Sequence, residues 1–415
     1  MDPIIKNRIE QINRGEVPQG YKKTSVGIVP VEWKLTKLRE LLEFKNGINA
    51  EKEKFGAGIK LISVMDILDA KPIYYSTIKG SINIDSDTLE SYSVTYGDIL
   101  FQRSSENFED AGKSNVYLDK NNTATYSGFV IRGKKIFEYV PTYLNKLLKT
   151  APIRKQIKRY AAGSQHINVG QNSLSKVELC VAGDREQARI ADILSKWDEA
   201  VTLQEKLIQK LELQKKALMQ KLLASKEGWK KVKVGTLTQE LSIRNKNNDC
   251  SNIKSVSNKF GFVNQDEQFS KQIASQDTSN YKKVNYGNIA YNPSRINVGS
   301  IAIYEENDTG IVSPMYVVFS CKKIAPKLLL LLLSTCRGQY DIKTYLSGSV
   351  RDSLNYSDLK NIVINIPDGD TQKVLVCFFE SVDNRLCVHK DKLQKLKDQQ
   401  KAIQQLILTG TVRVN

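Results

Sequence analysis

Residues 187–222, QARIADILSKWDEAVTLQEKLIQKLELQKKALMQKL, and residues 372–407, QKVLVCFFESVDNRLCVHKDKLQKLKDQQKAIQQLI, share one apolar spacing at a constant offset of 185 residues. In both stretches apolar side chains recur at alternating intervals of four and three residues, which is the heptad seam of a coiled coil. The chain is therefore predicted to be a tandem repeat in which each copy ends in a long amphipathic helix. The predicted seam residues are Ile190, Leu194, Trp197, Val201, Ile208, Leu211, Leu218 and Leu222 in the first helix, and Leu375, Phe379, Val382, Leu386, Leu393, Leu396, Ile403 and Ile407 in the second.

The two predicted helices are long enough to need each other as partners. Each covers about 40 residues and should be roughly 60 Å long, and an apolar stripe of that length must be buried against another element. The polar interruptions of the seam coincide, since Gln204 corresponds to His389 and Lys215 to Gln400. Buried polar groups often fix the register of a coiled coil. An antiparallel pair is expected to place Gln204 opposite Gln400 and Lys215 opposite His389; alternatively, these residues lie at a solvated edge of the stripe.

The charge of the chain points to a polyanionic partner. Lys and Arg number 62 against 45 Asp and Glu in 415 residues, which gives a net charge of +17. A balance of this kind favours nucleic acid as the partner. The alternative is a basic surface with no binding role.

Cysteine usage and hydropathy predict a cytoplasmic protein with no membrane segment. The six cysteines include no C-x-x-C pair and the histidines number two, so neither a zinc cluster nor a disulfide framework is expected. The first 23 residues lack the apolar core of a signal peptide. Residues 328–333 form the longest aliphatic run, which is far too short to span a bilayer and predicts a buried helix.

The repeat extends over the whole chain. Its landmarks are Trp33 and Trp229, then YGDILF (residues 96–101) and YGNIAY (residues 286–291). The predicted fold is α/β and pseudo-two-fold symmetric: two tandem α/β domains joined by a pair of long helices that form an antiparallel coiled coil. The predicted segments are a lead-in (1–32), a first domain (33–184), a first spacer helix (185–226), a second domain (229–369), a second spacer helix (370–409) and a tail (410–415). Within the first domain we predict strands at 59–64, 98–102, 129–132 and 177–181, and helices at 143–149 and 153–162.

Two pairs of corresponding segments carry polar side chains at the ends of predicted elements. Arg, Asn, Gln and Ser are the side chains that hydrogen-bond base edges, so we interpret both pairs as DNA-reading segments. Alternatively, the first pair are turns whose arginine bonds a nearby acidic residue, and the second pair are plain turns between a helix and a strand. The candidates are Gln102, Arg103 and Ser104 with Asn292, Ser294, Arg295 and Asn297 in the first pair, and Gln165 and His166 with Ser349 and Arg351 in the second.

The sequence contains fragments of catalytic motifs but none that is complete. DAGKS (residues 110–114) ends like a phosphate-binding loop, yet Asn107 stands where the first glycine is required. Asn292-Pro293 begins like an adenine methyltransferase motif, but Ser294 follows and the aromatic residue that stacks on a flipped base is missing. We therefore expect no catalytic residues, no metal site and no cofactor on this chain.

The whole chain after residue 15 resembles the specificity subunits of Type I restriction-modification systems. The resemblance covers the opening of the first domain, a loop region of the second domain and both spacer helices. It is carried by GYKKT (residues 20–24), PVEW (30–33), NPSRINVGSI (292–301), GIVSPMY (310–316), KKALMQKLL (215–223) and QKAIQQLIL (400–408).

This resemblance implies a non-catalytic DNA-recognition subunit. Each globular unit would be a target-recognition domain that reads one half of a bipartite, asymmetric DNA site, and the helix pair would set the gap between the halves. Two methyltransferase subunits and motor-endonuclease subunits would be its partners, and S-adenosylmethionine, ATP and Mg would belong to them. Two alternatives from other classes are a coiled-coil scaffold and a DNA-binding protein with an unrecognised nuclease activity.

Overall fold

The computed structural model describes residues 3–163, 165–264, 277–346 and 353–414. The chain divides into two compact units: unit 1 comprises Met1–Leu203 with Leu393–Asn415, and unit 2 comprises Gln204–Lys392. Each unit combines an α/β domain with a part of both long helices, so the coiled-coil residues belong to the domains that they support.

Unit 1 is a mixed α/β domain preceded by a short helix. Its helices are α1 (Pro3–Asn13), α2 (Val64–Leu68), α3 (Ser86–Ser91), α4 (Pro141–Leu148), α5 (Ala151–Tyr160), α6 (Gln171–Ser175) and the long α7 (Asp184–Leu222), which continues into unit 2. Its strands are β1 (Tyr21–Thr24), β2 (Gly27–Pro30), β3 (Lys34–Lys37), β4 (Leu42–Asn46), β5 (Phe55–Ile62), β6 (Gly80–Ile82), β7 (Ile99–Gln102), β8 (Ser104–Ser105), β9 (Ser114–Val116), β10 (Thr125–Tyr126), β11 (Val130–Lys135), β12 (Ile167–Asn168) and β13 (Glu178–Val181).

Unit 2 repeats the strands of the main sheet and the helices that follow them in the same order. Its helices are α8 (Val234–Leu237), α9 (Pro326–Ser334), α10 (Cys336–Thr344), α11 (Tyr356–Leu359) and the long α12 (Gly369–Leu408), which continues into unit 1. Its strands are β14 (Lys230–Lys233), β15 (Thr238–Leu241), β16 (Ile253–Ser257), β17 (Gly261–Asn264), β18 (Lys282–Val284), β19 (Ile289–Tyr291), β20 (Ile301–Ile303), β21 (Gly310–Val312), β22 (Val317–Cys321) and β23 (Val363–Ile366).

The main sheet of unit 1 corresponds strand by strand to the main sheet of unit 2. The antiparallel sheet β4-β11-β7-β9 of unit 1 matches β15-β22-β19-β20 of unit 2. A second sheet in each unit contains one parallel pair, β10 with β5 and β21 with β16. The first and last strands of each domain also pair, β3 with β13 and β14 with β23. The α/β fold and the internal repeat predicted from the sequence are confirmed by this topology.

The core of each unit includes side chains from both long helices. In unit 1, Ile190 of α7 and Ile407 of α12 are buried beside Trp33 of the domain. In unit 2, Met219 of α7 and Phe379 of α12 are buried together with Leu328 of α9. The aliphatic run at residues 328–333 therefore lies in a buried helix, as predicted. Among the described helices, none has both the length and the apolar character that crossing a membrane requires.

The long helices α7 and α12 pack antiparallel along the predicted stripe, whose residues are buried or partly buried. Near the middle of the pair the Gln204 amide donates to the His389 carbonyl oxygen at 2.9 Å and lies 3.1 Å from His389 Nδ1. The predicted register is therefore wrong, because Gln204 was expected to face Gln400. Gln204 and His389 occupy equivalent positions in the two repeats.

The other two polar residues of the seam, Gln400 and Lys215, bond to aspartates instead of to their predicted partners. These aspartates, Asp198 and Asp383, occupy equivalent positions in the two repeats. Within unit 1, Asp198 of α7 accepts hydrogen bonds from Lys146 of α4 at 2.7 Å and from Gln400 of α12 at 2.6 Å. Aspartate accepts charge-assisted hydrogen bonds, which are stronger than those between neutral polar groups. This preference explains why Gln400 bonds Asp198 rather than another polar residue of the seam.

Within unit 2, Asp383 of α12 is bonded in the same manner by Lys215 of α7 and by Lys327 of α9, the latter at 2.8 Å. Each aspartate thus joins the first helix after the β-sheet of its domain to both long helices. Burial raises the pKa of Asp383, but the hydrogen bonds from Lys215 and Lys327 outweigh burial and hold that pKa below its usual value. The stabilising contribution of Asp383 is therefore present at neutral pH and is lost as the pH falls through this lowered pKa.

Substituting Asp383→Asn is expected to destabilise unit 2 by about 1–3 kcal/mol at neutral pH, because two lysines lose a charged acceptor. Urea unfolding at neutral pH should show a lower midpoint urea concentration for D383N than for the parent chain. As the pH is lowered, the free energy of unfolding should fall less for D383N than for the parent chain. The matched control is Asp391→Asn at an exposed position of the same helix, which should leave the midpoint nearly unchanged. Equal midpoints for D383N and the parent chain at neutral pH would contradict this account of Asp383.

Candidate nucleic-acid interface

The first predicted reading segment of unit 1 follows β7 directly and is held by its own backbone. Gln102 is 5% exposed, and its Nε2 donates to the Ser104 carbonyl oxygen at 2.9 Å. The amide of Gln102 therefore positions the loop. The Arg103 guanidinium donates to the Gly128 carbonyl oxygen at 3.2 Å, and no ion pair joins it to an acidic side chain within the described residues. Arg103 is thus oriented by a backbone carbonyl group.

The structure brings the two predicted segments of unit 1 together. Strand β8, which includes Ser104, pairs antiparallel with β12, and the Ser104 hydroxyl donates to Asn168 Oδ1. Gln165 and His166 immediately precede β12 and are exposed. Gly163 has φ +135°, and a Cβ there would lie 1.9 Å from the His166 carbonyl oxygen, so the turn requires glycine. One surface of unit 1 therefore combines both candidate segments.

In unit 2 the first predicted segment forms a tight loop after β19. The Asn292 Oδ1 atom accepts a hydrogen bond from the Ser294 amide at 3.1 Å, and Asn292 N–H donates to the Ser300 carbonyl oxygen at 3.1 Å. Ser294, Arg295 and Asn297 are exposed on this loop. Asn292 therefore fixes the turn, and the exposed side chains remain available to a ligand. Ser349 and Arg351, predicted for the second segment, lie outside the described residues.

The same backbone hydrogen bond braces the loop in both units. In unit 1, Val169 N–H donates to the Arg103 carbonyl oxygen at 2.9 Å; in unit 2, Leu354 N–H donates to the Pro293 carbonyl oxygen at 3.1 Å. Arg103 and Pro293 are equivalent in the repeat, as are Val169 and Leu354. The loop scaffold is therefore repeated, whereas the side chains that it presents differ between the units.

A basic pocket lies beside the predicted reading segment of unit 1, whose Gln102 N–H donates to the Lys113 carbonyl oxygen at 2.8 Å. It is lined by Lys113, Lys149, Arg154 and Lys158, together with Glu109 and other residues. The Arg154 guanidinium donates to the backbone carbonyls of Gly112 at 2.8 Å and of Ala111 at 2.7 Å, which anchors the loop that leads to β9. Burial, with a smaller contribution from the nearby Lys146 charge, lowers the pKa of Lys149 to about 8. An anionic group placed in this pocket would be attracted by Lys149 and would favour its charged form.

One exposed apolar residue in each unit lies beside these loops and was not among the site residues predicted from the sequence. Phe129 is 65% exposed and Met315 is 61% exposed, each in the turn before the long strand of its sheet. Phe129 was predicted inside a strand, but β11 begins only at Val130. Alignment of the two repeats could have identified both residues, because Ser127-Gly128-Phe129 and Ser313-Pro314-Met315 occupy equivalent places before corresponding strands.

Comparison with known families matches both halves of the chain to one domain. The model of the type I restriction modification DNA specificity domain matches residues 30–213 and again residues 226–398. The chain belongs to this family. The match falls twice, once on each α/β domain with its following long helix, in agreement with the repeat read from the sequence.

Known specificity subunits resemble the chain over its length. The putative type I restriction enzyme MjaX specificity subunit of Methanocaldococcus jannaschii is 24% identical over 436 residues, which cover 95% of this chain and 97% of the relative. The type I restriction enzyme MjaIX specificity subunit of the same organism is 27% identical over 189 residues, covering 44% of this chain and 41% of the relative.

Two solved structures share the fold of this specificity-family chain. A chain from a study of complex assembly and conformational transition of the type I R-M system has a TM-score of 0.59 at 13% identity and covers 92% of this chain and 99% of its own. The type I restriction-modification S subunit from M. genitalium has a TM-score of 0.51 at 14% identity, with coverage of 90% and 96%.

The role of the chain follows from its family and its repeat. It is a specificity subunit of a type I restriction-modification system with two target recognition domains, one in each unit, and it is not a catalytic subunit. The predicted family, fold and role are confirmed. The site residues within the domains remain predictions.

Proposed function

We propose that each unit reads one half of a bipartite site in double-stranded DNA and that the pair α7 and α12 sets the length of the unread gap. The observation that carries this proposal is the repeated loop scaffold, with its equivalent Val169–Arg103 and Leu354–Pro293 hydrogen bonds and its different exposed side chains. Two loops that are braced by the same backbone hydrogen bond but present different exposed side chains suit two half-sites of different sequence.

The exposed polar groups of these loops suit base edges. In unit 1 the exposed groups are Gln165 and His166; in unit 2 they are Ser294, Arg295 and Asn297. Arginine and asparagine are the side chains that most often make bidentate contacts with guanine and adenine. The net charge of +17 supplies the attraction to phosphate that every DNA-binding protein needs.

The helix pair also offers a surface for other subunits. Apolar side chains outside the seam are exposed on both helices: Leu203 at 57%, Leu213 at 69%, Val374 at 68% and Val388 at 65%. Exposed apolar residues on one element are typical of protein interfaces. We propose that two methyltransferase subunits dock there and on the domains, and that motor-endonuclease subunits join them, with S-adenosylmethionine, ATP and Mg bound by those partners.

Methylome sequencing of host DNA tests the proposal once this chain is co-expressed with the methyltransferase subunit of its own system. The expected result is a new methylated motif in two defined halves separated by a fixed gap. No new motif from a complex shown to be assembled and active would contradict the proposal and favour a scaffold.

Replacing residues 33–184 by the first domain of another specificity subunit is expected to change one half of the methylated motif and leave the other half and the gap intact. The physical reason is that each domain has its own hydrophobic core, so its loops form independently of the other domain. The matched control replaces residues 229–369 and should change only the opposite half. Simultaneous change of both halves in either exchange would show that reading is not modular.

A further inference from the structure

Phe129 and Met315 occupy the same place in the two units, in a turn that both units build identically. The Val130 N–H donates to the Ser127 carbonyl oxygen at 2.9 Å, and the Tyr316 N–H donates to the Ser313 carbonyl oxygen at 3.0 Å. These are equivalent turns, each linking a strand of the second sheet to the long strand of the first. The exposed apolar residue sits third in each turn.

The turn of unit 1 is held against the reading loop. The Arg103 N–H donates to the Phe129 carbonyl oxygen at 2.9 Å, and the Arg103 guanidinium bonds the neighbouring Gly128 carbonyl oxygen. A Cβ on Gly128 would lie 1.7 Å from Asn49 Oδ1, so a larger residue in this turn would displace the Asn49 side chain. Phe129 is therefore fixed next to the predicted base-reading residues with its ring in solvent.

The turn of unit 2 meets its own reading loop at the corresponding point. The Asn292 side-chain amide lies 4.0 Å from the Met315 sulfur in a hydrogen-bonding arrangement. Proline replaces glycine in the middle of this turn, so the sequences differ while the exposed apolar position is retained. A large apolar side chain is thus exposed at one equivalent point of both domains, beside the predicted reading segment of each.

The chemistry of the neighbours identifies the apolar group that such a side chain can meet. Base edges in the major groove present donors and acceptors to polar side chains, and the thymine methyl group is their apolar feature. An apolar residue set beside Arg103 or Asn292 complements that pattern. We propose that Phe129 and Met315 are specificity-determining residues that contact thymine methyl groups, each in the half-site read by its own unit. This inference rests on the proposed function.

The test measures the affinity of the assembled complex, with its methyltransferase subunits, for DNA duplexes that carry the two-part motif identified by methylome sequencing. Phe129→Ala is expected to weaken binding about fivefold, since one buried methyl contact contributes on the order of 1 kcal/mol. Replacing the contacted thymine of the first half-site by deoxyuridine, which lacks the methyl group, should weaken binding by the same factor. Combining both changes should add little, because each removes the same contact.

Matched variants separate this contact from other effects. Phe137 is 57% exposed just beyond the far end of β11, and Tyr340 is 63% exposed on α10, so F137A and Y340A should bind normally. Phe129→Leu should retain most of the affinity. Met315→Ala should weaken binding about fivefold and show the same non-additivity with deoxyuridine only in the second half-site.

The outcomes distinguish this inference from the proposed function. A two-part motif with unchanged affinity for F129A and M315A overturns the thymine contact and leaves half-site reading intact. Fully additive effects of F129A and deoxyuridine at every thymine of the half-site also overturn it. Absence of any two-part motif with the parent chain would instead overturn the proposed function on which this inference depends.

Discussion

Removing residues 204–210 from α7 together with residues 387–393 from α12 is expected to bring the two halves of the methylated motif about three base pairs closer. Seven residues of helix rise roughly 10 Å, and one base pair of DNA rises about 3.4 Å. The double deletion preserves the four-three spacing of both seams. It also removes Gln204 and His389 together, so neither polar group of that pair is left without its partner.

Binding to the parent site is expected to fall at least about 100-fold, because a complex that holds one half-site misses several base contacts in the other, each contributing about 1–3 kcal/mol. Methylome sequencing and affinity for duplexes with stepped gaps measure both effects. The control removes residues 204–210 alone; the seams then no longer match in length, and binding to every gap should be lost. Normal affinity for the parent gap after the double deletion would refute the idea that the helices act as a ruler.

Substituting Glu186→Ala is expected to destabilise unit 1 by about 2–3 kcal/mol, because the Trp33 indole and the Arg413 guanidinium both lose a charged acceptor. The Glu186 carboxylate is 9% exposed and accepts a hydrogen bond from Trp33 Nε1 at 2.8 Å. It also accepts from Arg413 Nε at 2.8 Å and from Arg413 Nη2 at 3.2 Å. These hydrogen bonds raise the pKa of Arg413 further above its usual value.

Urea unfolding of the purified chain measures this effect through the midpoint of the unit 1 transition. Glu32 provides the matched control, because it bonds the same arginine at 2.6 Å but its side chain is 73% exposed. Glu32→Ala should lower stability by less than about 1 kcal/mol, as expected of an exposed ion pair. Similar losses for E186A and E32A would show that burial of Glu186 does not matter. Glu186→Gln, which can still accept from Trp33, should fall between the two.

The sequence predicted the elements whose pattern is local. Four-three spacing located both long helices, and amphipathic runs located α4 and α5 to within a few residues. Such patterns work because a helix buries one face and the periodicity of that face is written in consecutive residues. Comparison of the two copies in the chain supported the same elements twice. It also distinguished the scaffold that the two domains share from the loops in which they differ.

Features that depend on distant partners were not predictable. The pairing of β8 with β12 joins two residues to two others more than 60 positions away, and such short strands carry no periodicity. The coiled-coil register was wrong because Asp198 and Asp383 lie beside the stripe, where spacing alone does not reveal an acceptor. Gln102 was chosen for its position at a strand end, yet its burial depends on the fold around it.

The hydrogen bond that braces each reading loop joins two main-chain groups, Val169 to Arg103 and Leu354 to Pro293. Side-chain identity at the acceptor is immaterial to that bond, and the two units illustrate this with an arginine in one case and a proline in the other. Substitutions among the exposed loop residues leave that bond in place. If the loops read DNA as proposed, one target sequence can therefore be exchanged for another by point mutation while the backbone bond that braces the loop persists.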